Sequence, residues 1–360
     1  MKKEINDTDW LDFETGKIVK DNIAIWRNYQ SLLYKIGNPY VGNKRKILVN
    51  IANEIEKSNI GYDSVTDAFS GSGVVSYFFK LCGKEVNSND LLTSSYYNLL
   101  TFLENSKNLI NNEELQFLCN NQNANKSDFI QTEYKDRFSL KEAIFLDNYR
   151  ANVDIVSGNS LHKKAYAIVL IEHYIMKNCF LGGRLNHGQI LAQLQHRIDH
   201  AKNKGSEMNF KLSLLTQIHG DNKYTASNLD AIEFLNKTPI TDILYLDPPY
   251  GGQQSNYAQM FALCEEYIYN DKIDNLKHLN NKFVSSKNYE KHFKEVLESS
   301  KKFPNWVISY NDSSWADIEK IQNILKMFKS EINVINIDYK YKYRKDQSSS
   351  AKEFLIICKK

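Results

Sequence analysis

The segment ILYLDPPY at residues 243–250 constrains the fold more than any other part of this sequence. Its first four residues are all apolar, which is typical of a strand that is covered on both faces in the centre of a parallel sheet. Two prolines soon follow, and proline lacks the backbone N–H that a central strand donates. We therefore expect the strand to end at Asp247, at the carboxyl edge of the sheet, where α/β proteins bind their ligands.

Strand-like and helix-like segments alternate on both sides of this strand. The other segments that indicate strands are YDSVTDAF, KEVNSND, KYTAS, WVISY, INVINIDY and EFLIICK. The first two are each followed by a segment with helical spacing, and the last two are close enough along the chain to pair antiparallel. This alternation predicts an α/β fold built on a doubly wound, Rossmann-like sheet.

A long interruption separates the two halves of the pattern. Residues 105–222 contain no convincing strand, and SLKE at 139–142 fits the capping box that opens a helix. We therefore expect a mostly helical inserted domain. The predicted division is an N-terminal extension at 1–33, an α/β domain made of 34–104 and 223–360, and the helical insertion at 105–222.

Composition excludes several classes of protein. The formal net charge is +3, so a polyanionic partner would have to be bound by local basic clusters. The five cysteines are scattered, without the spacing of a disulfide framework or a zinc site. The longest apolar stretch, AYAIVLIEHYIMKNCFL, contains charged residues and indicates a buried helix, not a membrane span. We therefore expect a cytoplasmic protein with no bound metal and no membrane association.

The tetrapeptide Asp247-Pro248-Pro249-Tyr250 has the properties of a rigid acceptor site. Each residue before a proline is held extended, and the missing amide hydrogens leave nearby carbonyls less locally satisfied. A carboxylate, a proline carbonyl and an aromatic face suit a planar ring that carries an –NH2 group. Two acceptors that pull on its hydrogens favour a localised nitrogen lone pair, which is stabilisation present mainly in the transition state. The alternative is a proline turn that ends a strand, with Tyr250 as packing.

A second candidate site is DAFSGSG at residues 67–73, between a predicted strand and a predicted helix. Gly71 and Gly73 permit a tight turn and close approach of the backbone to a ligand, although the spacing is not that of the dinucleotide fingerprint. Asp90 ends the next predicted strand, where an acid can accept from both hydroxyls of a ribose. The alternatives are an ordinary glycine loop and a helix cap at Asp90.

Two more segments carry candidate residues. Asp230, in SNLDAIEFL, would lie at the same edge of the sheet and could accept from the amine of an adenine; alternatively, SNLD is a capping box and Asp230 only begins a helix. In NPYVGNKRKIL, Gly42 makes a turn, and Lys44, Arg45 and Lys46 begin a helix with positive charge. Positive charge is unfavourable there unless an anion is near, and a solvated basic helix is the other interpretation.

The order of these segments sharpens the interpretation. YVGNK, FSGSG, ND, a long insertion, SNLDAIEFL, LDPPY and WVISYND together resemble the Dam-like, alpha-group DNA adenine-N6 methyltransferases, among them those of type II restriction-modification systems. The resemblance implies a Rossmann-like methyltransferase sheet, S-adenosylmethionine as methyl donor, and activation of the base amine by Asp247, Pro248, Pro249 and Tyr250. It implies donor contacts at Tyr40, Gly42, Lys44, Asp67, Phe69, Gly71, Gly73, Asp90, Asp230 and Asp247. One residue departs from the family pattern, because Asn228 stands where a small residue is expected.

The resemblance also implies double-stranded DNA as substrate. An adenine must leave the stack to reach the DPPY segment. Aromatic and basic residues alternate from Tyr339 to Lys345, which would place the basic ones on one face of a hairpin strand, against phosphates. In the insertion, a glycine-rich break holds polar residues that can read base edges. The candidate DNA-binding residues are Lys340, Lys342, Arg344, Arg184, Asn186 and His187. A half-exposed amphipathic strand and a polar helix–helix turn are the alternatives.

The function that the sequence favours is methylation of adenine in a specific double-stranded DNA sequence. An RNA adenine or DNA cytosine amino-methyltransferase remains open, as does a catalytically silent DNA-binding relative, against which the intact Asp247 argues. A cognate restriction endonuclease encoded nearby is a candidate partner.

Overall fold

The computed structural model describes residues 10–11, 18–19, 42, 44–104, 110–120, 127–179, 223–251, 256–279, 282–285, 287–311, 314–337, 342–344, 347–348 and 353–360. At residues 10–11, 18–19, 173–174, 176–179, 342–344 and 347–348, the backbone alone is described. Five candidate site residues fall outside the described residues: Tyr40, Arg184, Asn186, His187 and Lys340.

The core is a seven-stranded sheet, whose strands are numbered in chain order. They are β1 (Ser64–Asp67), β2 (Glu85–Asn89), β3 (Tyr224–Ser227), β4 (Ile243–Leu246), β5 (Asn305–Asn311), β6 (Glu331–Ile337) and β7 (Glu353–Lys359). Their order across the sheet is β3-β2-β1-β4-β5-β7-β6. The first five are parallel, and β7 runs antiparallel to both of its neighbours. The predicted α/β sheet and the predicted antiparallel pair of INVINIDY with EFLIICK are therefore confirmed.

Two short antiparallel pairs lie outside this sheet. Trp10–Leu11 pairs with Ile18–Val19, and Lys342–Arg344 pairs with Gln347–Ser348. The second pair lies between β6 and β7, where the sequence predicts a hairpin.

Twelve α-helices lie among the described residues. They are α1 (Leu48–Lys57), α2 (Val74–Leu81), α3 (Thr93–Leu99), α4 (Asn112–Leu118), α5 (Phe129–Glu133), α6 (Leu140–Ser157), α7 (Leu161–Cys179), α8 (Ala231–Lys237), α9 (Tyr257–Met260), α10 (Ala262–Tyr269), α11 (Tyr289–Ser300) and α12 (Ile318–Leu325). A π-helix, Leu100–Glu104, continues α3, and short 3₁₀ turns span Ile273–Asn275, Lys277–Leu279 and Lys282–Val284.

The apolar strand β4 is covered on both faces, as its composition predicts. Ile243 and Tyr245 belong to a core shared with α1, α2, α3, α6, α7 and α10. Leu244 and Leu246 belong to a second core, shared with α8, α11 and α12. This alternation follows from the strand period of two, which sends successive side chains to opposite faces. The strand is therefore central, and its end is fixed by packing on both sides.

The helices between β2 and β3 extend the first core. Ser139 and Glu142 form the predicted capping box at the start of α6. The apolar segment predicted to be a buried helix lies in α7, where Ala165, Ile168 and Ile171 are buried. Their packing against α3 and α10 places part of the predicted insertion on one face of the sheet. The boundaries of that insertion, at 105 and 222, stay a prediction.

Candidate active site

The loops that follow β1 and β4 meet at the carboxyl edge of the sheet. The two strands are direct neighbours, and the strand order reverses between them, which is where open α/β sheets bind ligands. A cleft of about 1140 Å³, a volume that includes its open mouth, lies at this point. The candidate residues that line it are Gly42, Lys44, Asp67, Phe69, Gly71, Asp90, Asp230, Asp247, Pro248, Pro249 and Tyr250. The structure thus brings the glycine turn and the DPPY segment into one site.

The two glycines of the turn have different physical roles. Both have positive φ, +52° at Gly71 and +75° at Gly73, a region that glycine enters without a Cβ penalty. Gly71 lines the cleft, whereas Gly73 is the N-cap of α2 and is not among the lining residues. A Cβ at Gly73 would lie 3.0 Å from side-chain atoms of Leu99 and Tyr77. Gly73 therefore permits close packing of the turn against its neighbouring helices.

Asp90 connects the loops that follow β1 and β2. Its Oδ2 accepts from the backbone N–H of Gly71 at 2.7 Å, and its Oδ1 accepts from that of Leu92 at 2.9 Å. Burial raises the pKa of Asp90 to about 7, although these N–H groups oppose the rise. Asp90 is buried at the cleft wall, close to the glycine turn.

A helix cap at Asp90 is not what the structure shows. Helix α3 begins at Thr93, and no side chain at its N-cap position accepts from its N–H groups. Instead, the buried carboxylate of Glu265 in α10 accepts from the backbone of Thr93 and Ser94 at 3.1 and 2.8 Å. Sequence reasoning missed Glu265, because its partners lie more than 150 positions away.

Asp230 both begins a helix and lines the cleft. It is itself the N-cap of α8, and its Oδ1 accepts from the backbone N–H of Ile232 at 3.0 Å. The alternative of a capping box that starts at Ser227 is therefore wrong, because the helix begins three residues later. The other oxygen of Asp230 lies 3.1 Å from Lys282 Nζ, in a half-exposed ion pair.

The departure at Asn228 has a structural reason. Its amide Nδ2 donates to the backbone carbonyls of Asp90 and Leu91, both at 2.9 Å. Its Oδ1 accepts from the hydroxyl of Thr93 at 3.1 Å. A small residue could not bridge these groups, so Asn228 fixes the loop after β2 to the loop after β3.

Asp67 presents an unsatisfied acceptor at the cleft wall. Its side chain is fully buried, and Oδ2 accepts from the Ser76 hydroxyl at 2.6 Å. Its Oδ1 has no hydrogen-bond partner. Burial raises the pKa of Asp67 to about 7. A buried acceptor without a partner is unfavourable in a folded protein, and a donor group of a ligand would relieve it.

The DPPY segment is held by two aromatic residues, one in α11 and one in the loop before α12. The hydroxyl of Tyr289 donates to the Pro249 carbonyl at 2.7 Å, and the backbone N–H of Trp315 donates to the Tyr250 carbonyl at 3.1 Å. Gly251 follows with φ at +90°, where a Cβ would lie 2.9 Å from the Tyr289 ring. The Pro249 carbonyl is therefore already engaged. No pattern in the sequence indicated a role for Tyr289.

Asp247 lies in a cluster of charged and hydroxyl groups. Its Oδ1 accepts from the Tyr250 hydroxyl at 2.8 Å and lies 3.1 Å from Lys44 Nζ. Burial raises the pKa of Asp247, the Lys44 ammonium opposes that rise, and the nearby Glu353 carboxylate adds to it. Burial also raises the pKa of Tyr250 well above its usual value.

Lys44 is buried in this cluster and not in a basic helix. Its Nζ lies 3.0 Å from Glu353 Oε1 and donates to the Tyr250 hydroxyl at 2.7 Å. The expectation that Lys44, Arg45 and Lys46 begin a helix is wrong, because α1 begins at Leu48. The anions near Lys44 are carboxylates of the protein itself.

Glu353 was missed by sequence reasoning, although a signal was present. It precedes the apolar run FLIIC, as Asp247 follows the apolar run of β4. Because β7 runs antiparallel to β5, its first residue pairs with Asn311 and reaches the same edge of the sheet. An acid that flanks a fully apolar strand at this edge is the feature that could have identified it.

The candidate DNA-binding residues receive little structural description. Lys342 and Arg344 lie on one strand of the short hairpin pair, where only the backbone is described.

Among the described helices, none is long and apolar enough to cross a membrane. No group of three or more His, Cys, Asp or Glu able to hold a metal ion occurs in the described part of the chain.

Comparison with known proteins places these features in a family. The chain is 26% identical to the type II methyltransferase M2.HphI of Haemophilus parahaemolyticus, over 84% of this chain and 91% of that protein. It is 27% identical to the type II methyltransferase M.FokI of Planomicrobium okeanokoites, over 89% of this chain but only 52% of that protein. It is 24% identical to the type II methyltransferase M.NlaIII of Neisseria lactamica, over 89% of this chain and 99% of that protein.

The sequence model of one family extends over most of the chain. It matches residues 40–342, a span that includes β1 to β6, the glycine turn, the acids after β2 and β3, and the DPPY segment. The chain therefore belongs to the D12 class N6 adenine-specific DNA methyltransferases.

Proposed function

We propose that this chain transfers the methyl group of S-adenosylmethionine to the N6 amino group of adenine in a specific double-stranded DNA sequence, with the target base flipped into the cleft. The observation that carries the proposal is the cleft itself. Its lining includes the glycine turn after β1 and the DPPY segment after β4. A donor pocket and an amine-binding pocket must adjoin for direct transfer, because the reacting atoms must approach within about 3.5 Å.

The cleft fits a cationic donor. S-adenosylmethionine carries an ammonium group and a sulfonium, and Asp67 offers a buried carboxylate oxygen that has no partner. Asp90 and Asp230 would accept from the ribose hydroxyls and the adenine amine. The residues proposed to hold the donor are Tyr40, Gly42, Asp67, Phe69, Gly71, Asp90 and Asp230, with Lys44 and Asp247 at the junction with the base pocket, whereas Gly73 would only shape the turn. When bound, the donor supplies a methyl group on a positively charged sulfur.

The target amine would be bound by two acceptors. The Asp247 carboxylate accepts one N6 hydrogen, and the Pro248 carbonyl accepts the other, because the Pro249 carbonyl is engaged by Tyr289. This geometry favours a nitrogen lone pair directed at the methyl group. Transfer forms the N6–methyl bond, breaks the sulfur–methyl bond and leaves a positively charged nitrogen, which then loses a proton. The carboxylate of Asp247 stabilises that charge as it develops.

The DNA contacts and the biological setting are part of the same proposal. Lys340, Lys342 and Arg344 would hold phosphates, and Arg184, Asn186 and His187 would read base edges. The relatives are named type II methyltransferases, so we expect a cognate restriction endonuclease encoded nearby and a cytoplasmic enzyme that acts on the host DNA.

Nucleoside mass spectrometry after methylation in vitro tests the proposal. The purified protein is incubated with S-adenosylmethionine and either plasmid DNA or total RNA, and the digested nucleosides are separated. We expect N6-methyladenine in DNA and none in RNA. Methylated cytosine, or methyl transfer to RNA alone, would support the other substrates, and no transfer to any of them would indicate a silent relative.

A further inference from the structure

The least expected feature of the active site is a carboxylate that the proposed reaction does not use. The Glu353 side chain is completely buried at the start of β7, and it is not among the residues that line the cleft. Burying an ionised carboxylate is unfavourable unless charged and hydrogen-bonding partners compensate it. The compensation is thorough, because Glu353 accepts from Ser309 at 2.8 Å and Asn311 at 3.3 Å in addition to its ion pair with Lys44.

The position of Lys44 indicates a role for the Glu353 carboxylate. Its ammonium lies almost equally far from two carboxylates, 3.1 Å from Asp247 Oδ1 and 3.0 Å from Glu353 Oε1. Lys44 and Tyr250 both bind Oδ1 of the carboxylate that must accept from the target amine, and neither binds its Oδ2. Oδ2 is therefore available to the amine as long as the ammonium stays on Oδ1.

We propose that Glu353 is a positioning residue, which holds Lys44 between two carboxylates so that Lys44 contacts Asp247 at Oδ1 and leaves Oδ2 for the target amine. This inference rests on the proposed function, and it concerns how the acceptor of the base pocket is kept available. If Asp247 were the only counter-ion of Lys44, the ammonium would be drawn to both of its oxygens and would compete with the amine. With Glu353 in contact on the other side, Lys44 keeps a second carboxylate partner and stays away from Oδ2.

The Tyr250 hydroxyl supports the same arrangement. It accepts from Lys44 and donates to Asp247 Oδ1, and Glu353 Oε1 lies 3.4 Å from it as an alternative acceptor. Both donors that bind Asp247 Oδ1 therefore also lie close to Glu353, which favours their position on that oxygen.

The first test is Glu353→Gln, which keeps the size of the side chain and removes its charge. Among the described residues, Asp247 is then the one carboxylate in contact with Lys44, and the ammonium is drawn toward both of its oxygens, against the amine. We expect the single-turnover rate of methyl transfer to fall about 10- to 100-fold, with the Kd for S-adenosylmethionine within about twofold of wild type. Glu353→Asp, which keeps the charge, should recover part of the rate. An unchanged rate in the glutamine variant would overturn the inference.

A double-mutant cycle with Lys44→Met separates positioning from a structural effect. If Glu353 acts through Lys44, then Glu353→Gln has no further effect on the rate in the Lys44→Met background. Multiplicative losses in the double variant would show that Glu353 acts independently, and would contradict the proposal. Loss of the cation beside Asp247 is common to the Lys44→Met variant and the double variant, so it cancels when the two are compared.

The control is Glu142→Gln, in a buried glutamate of the α6 capping box that does not line the cleft. It should lower the melting temperature and leave the rate unchanged. Wild-type protein in the same assay tests the proposed function separately. If wild type methylates adenine in DNA and Glu353→Gln does so equally fast, the positioning role alone fails. If wild type does not methylate DNA, the proposed function fails, and the positioning role with it.

Discussion

The two halves of the active-site cleft handle their buried carboxylates in opposite ways. On the β1–β2 side, Asp67 and Asp90 bond only to hydroxyl and backbone N–H groups, and neither forms an ion pair with a described lysine, arginine or histidine. On the β4–β7 side, Asp247 and Glu353 share the ammonium of Lys44. The same edge of one sheet thus holds acids without a cation and acids with one.

This difference matches the charges of the two proposed ligands. A cationic methyl donor brings its own positive charge. Asp67 and Asp90, the first pair of acids, therefore need no cation from the protein, because the bound donor would supply one. A target adenine is neutral and brings only N–H groups, so the second pair needs a permanent cation to be ionised when buried. Buried acids that lack a cationic partner thus indicate a cationic ligand, and buried acids that share a lysine indicate a neutral one.

The largest effect should come from substituting Asp247, the proposed acceptor for the amine of the target base. Asp247→Ala deletes the carboxylate that we propose polarises the amine and stabilises the developing positive charge. We expect turnover to fall at least about 10³-fold, while the Kd for S-adenosylmethionine stays near wild type. Transfer of labelled methyl groups to DNA and calorimetric titration of the donor measure the two quantities. If Asp247→Ala lost donor binding and kept turnover, the proposed donor and base sides of the cleft would be the wrong way round.

The next effect should appear on the donor side. Asp67→Asn removes the buried charge that the donor cation would neutralise, and we expect the donor Kd to rise about 10- to 100-fold. The rate at saturating donor should change much less. The matched control is Asp242→Asn, an acid in the loop before β4 that caps the backbone of Asp63 and Ser64 away from the cleft. Equal effects of the two substitutions on the Kd would break the comparison.

The same aspartate predicts a pH dependence. Burial raises the pKa of Asp67 to about 7, so its carboxylate form, which binds a cation, becomes dominant as the pH rises through 7. Donor affinity should therefore increase from pH 6 to pH 8 in wild type, and the increase should be smaller in Asp67→Asn. Titrations at three pH values measure it, and an affinity that falls over this range would contradict the raised pKa.

The free energy of unfolding of the donor-free protein should change with pH in the opposite direction to donor affinity. An acid with a raised pKa in the folded state contributes stability that is full below about pH 4 and is lost as the pH rises to about 7. Asp67→Asn removes this loss, so the variant should melt at a higher temperature than wild type at pH 8, by the equivalent of about 1–3 kcal/mol. A variant that is less stable at pH 8 would show that Asp67 is compensated after all.

The smallest effect should come from the support beneath the DPPY segment. Tyr289→Phe deletes the hydroxyl that donates to the Pro249 carbonyl and leaves the ring in place. Because Pro249 is not the proposed acceptor, the expected loss is about 1 kcal/mol of stability and a rate reduced less than about tenfold. Thermal melts and single-turnover rates measure it. A rate loss as large as that of Asp247→Ala would mean that Pro249 and not Pro248 binds the amine.

The sequence predicted the parts of this site that depend on local patterns. The ends of β1 and β4, the positive-φ glycines and the antiparallel pair at the carboxyl terminus all follow from the residues in those segments. Asp230 was ambiguous for the same reason, since one residue can both cap a helix and line a cleft, as Asp230 does.

The parts that were not predicted depend on partners far apart in the chain. Lys44 meets Glu353 across more than 300 positions, and Glu265 caps α3 from beyond β4. Such pairs are set by the order of strands in the sheet, which a single sequence does not specify. The segment 38–48 was given a basic helix because its charges were judged without the carboxylates that the fold brings to them.

The most direct test of the contrast between the two halves is the number of protons released when the donor binds. Calorimetric titration of S-adenosylmethionine near pH 6.5, in buffers of different ionisation enthalpy, measures that number. We expect wild type to release protons, since a bound cation lowers the pKa of the uncompensated acids. Asp67→Asn should release fewer, and Asp247→Asn should match wild type. No release by wild type, or a release that is lost in Asp247→Asn and kept in Asp67→Asn, would contradict the account.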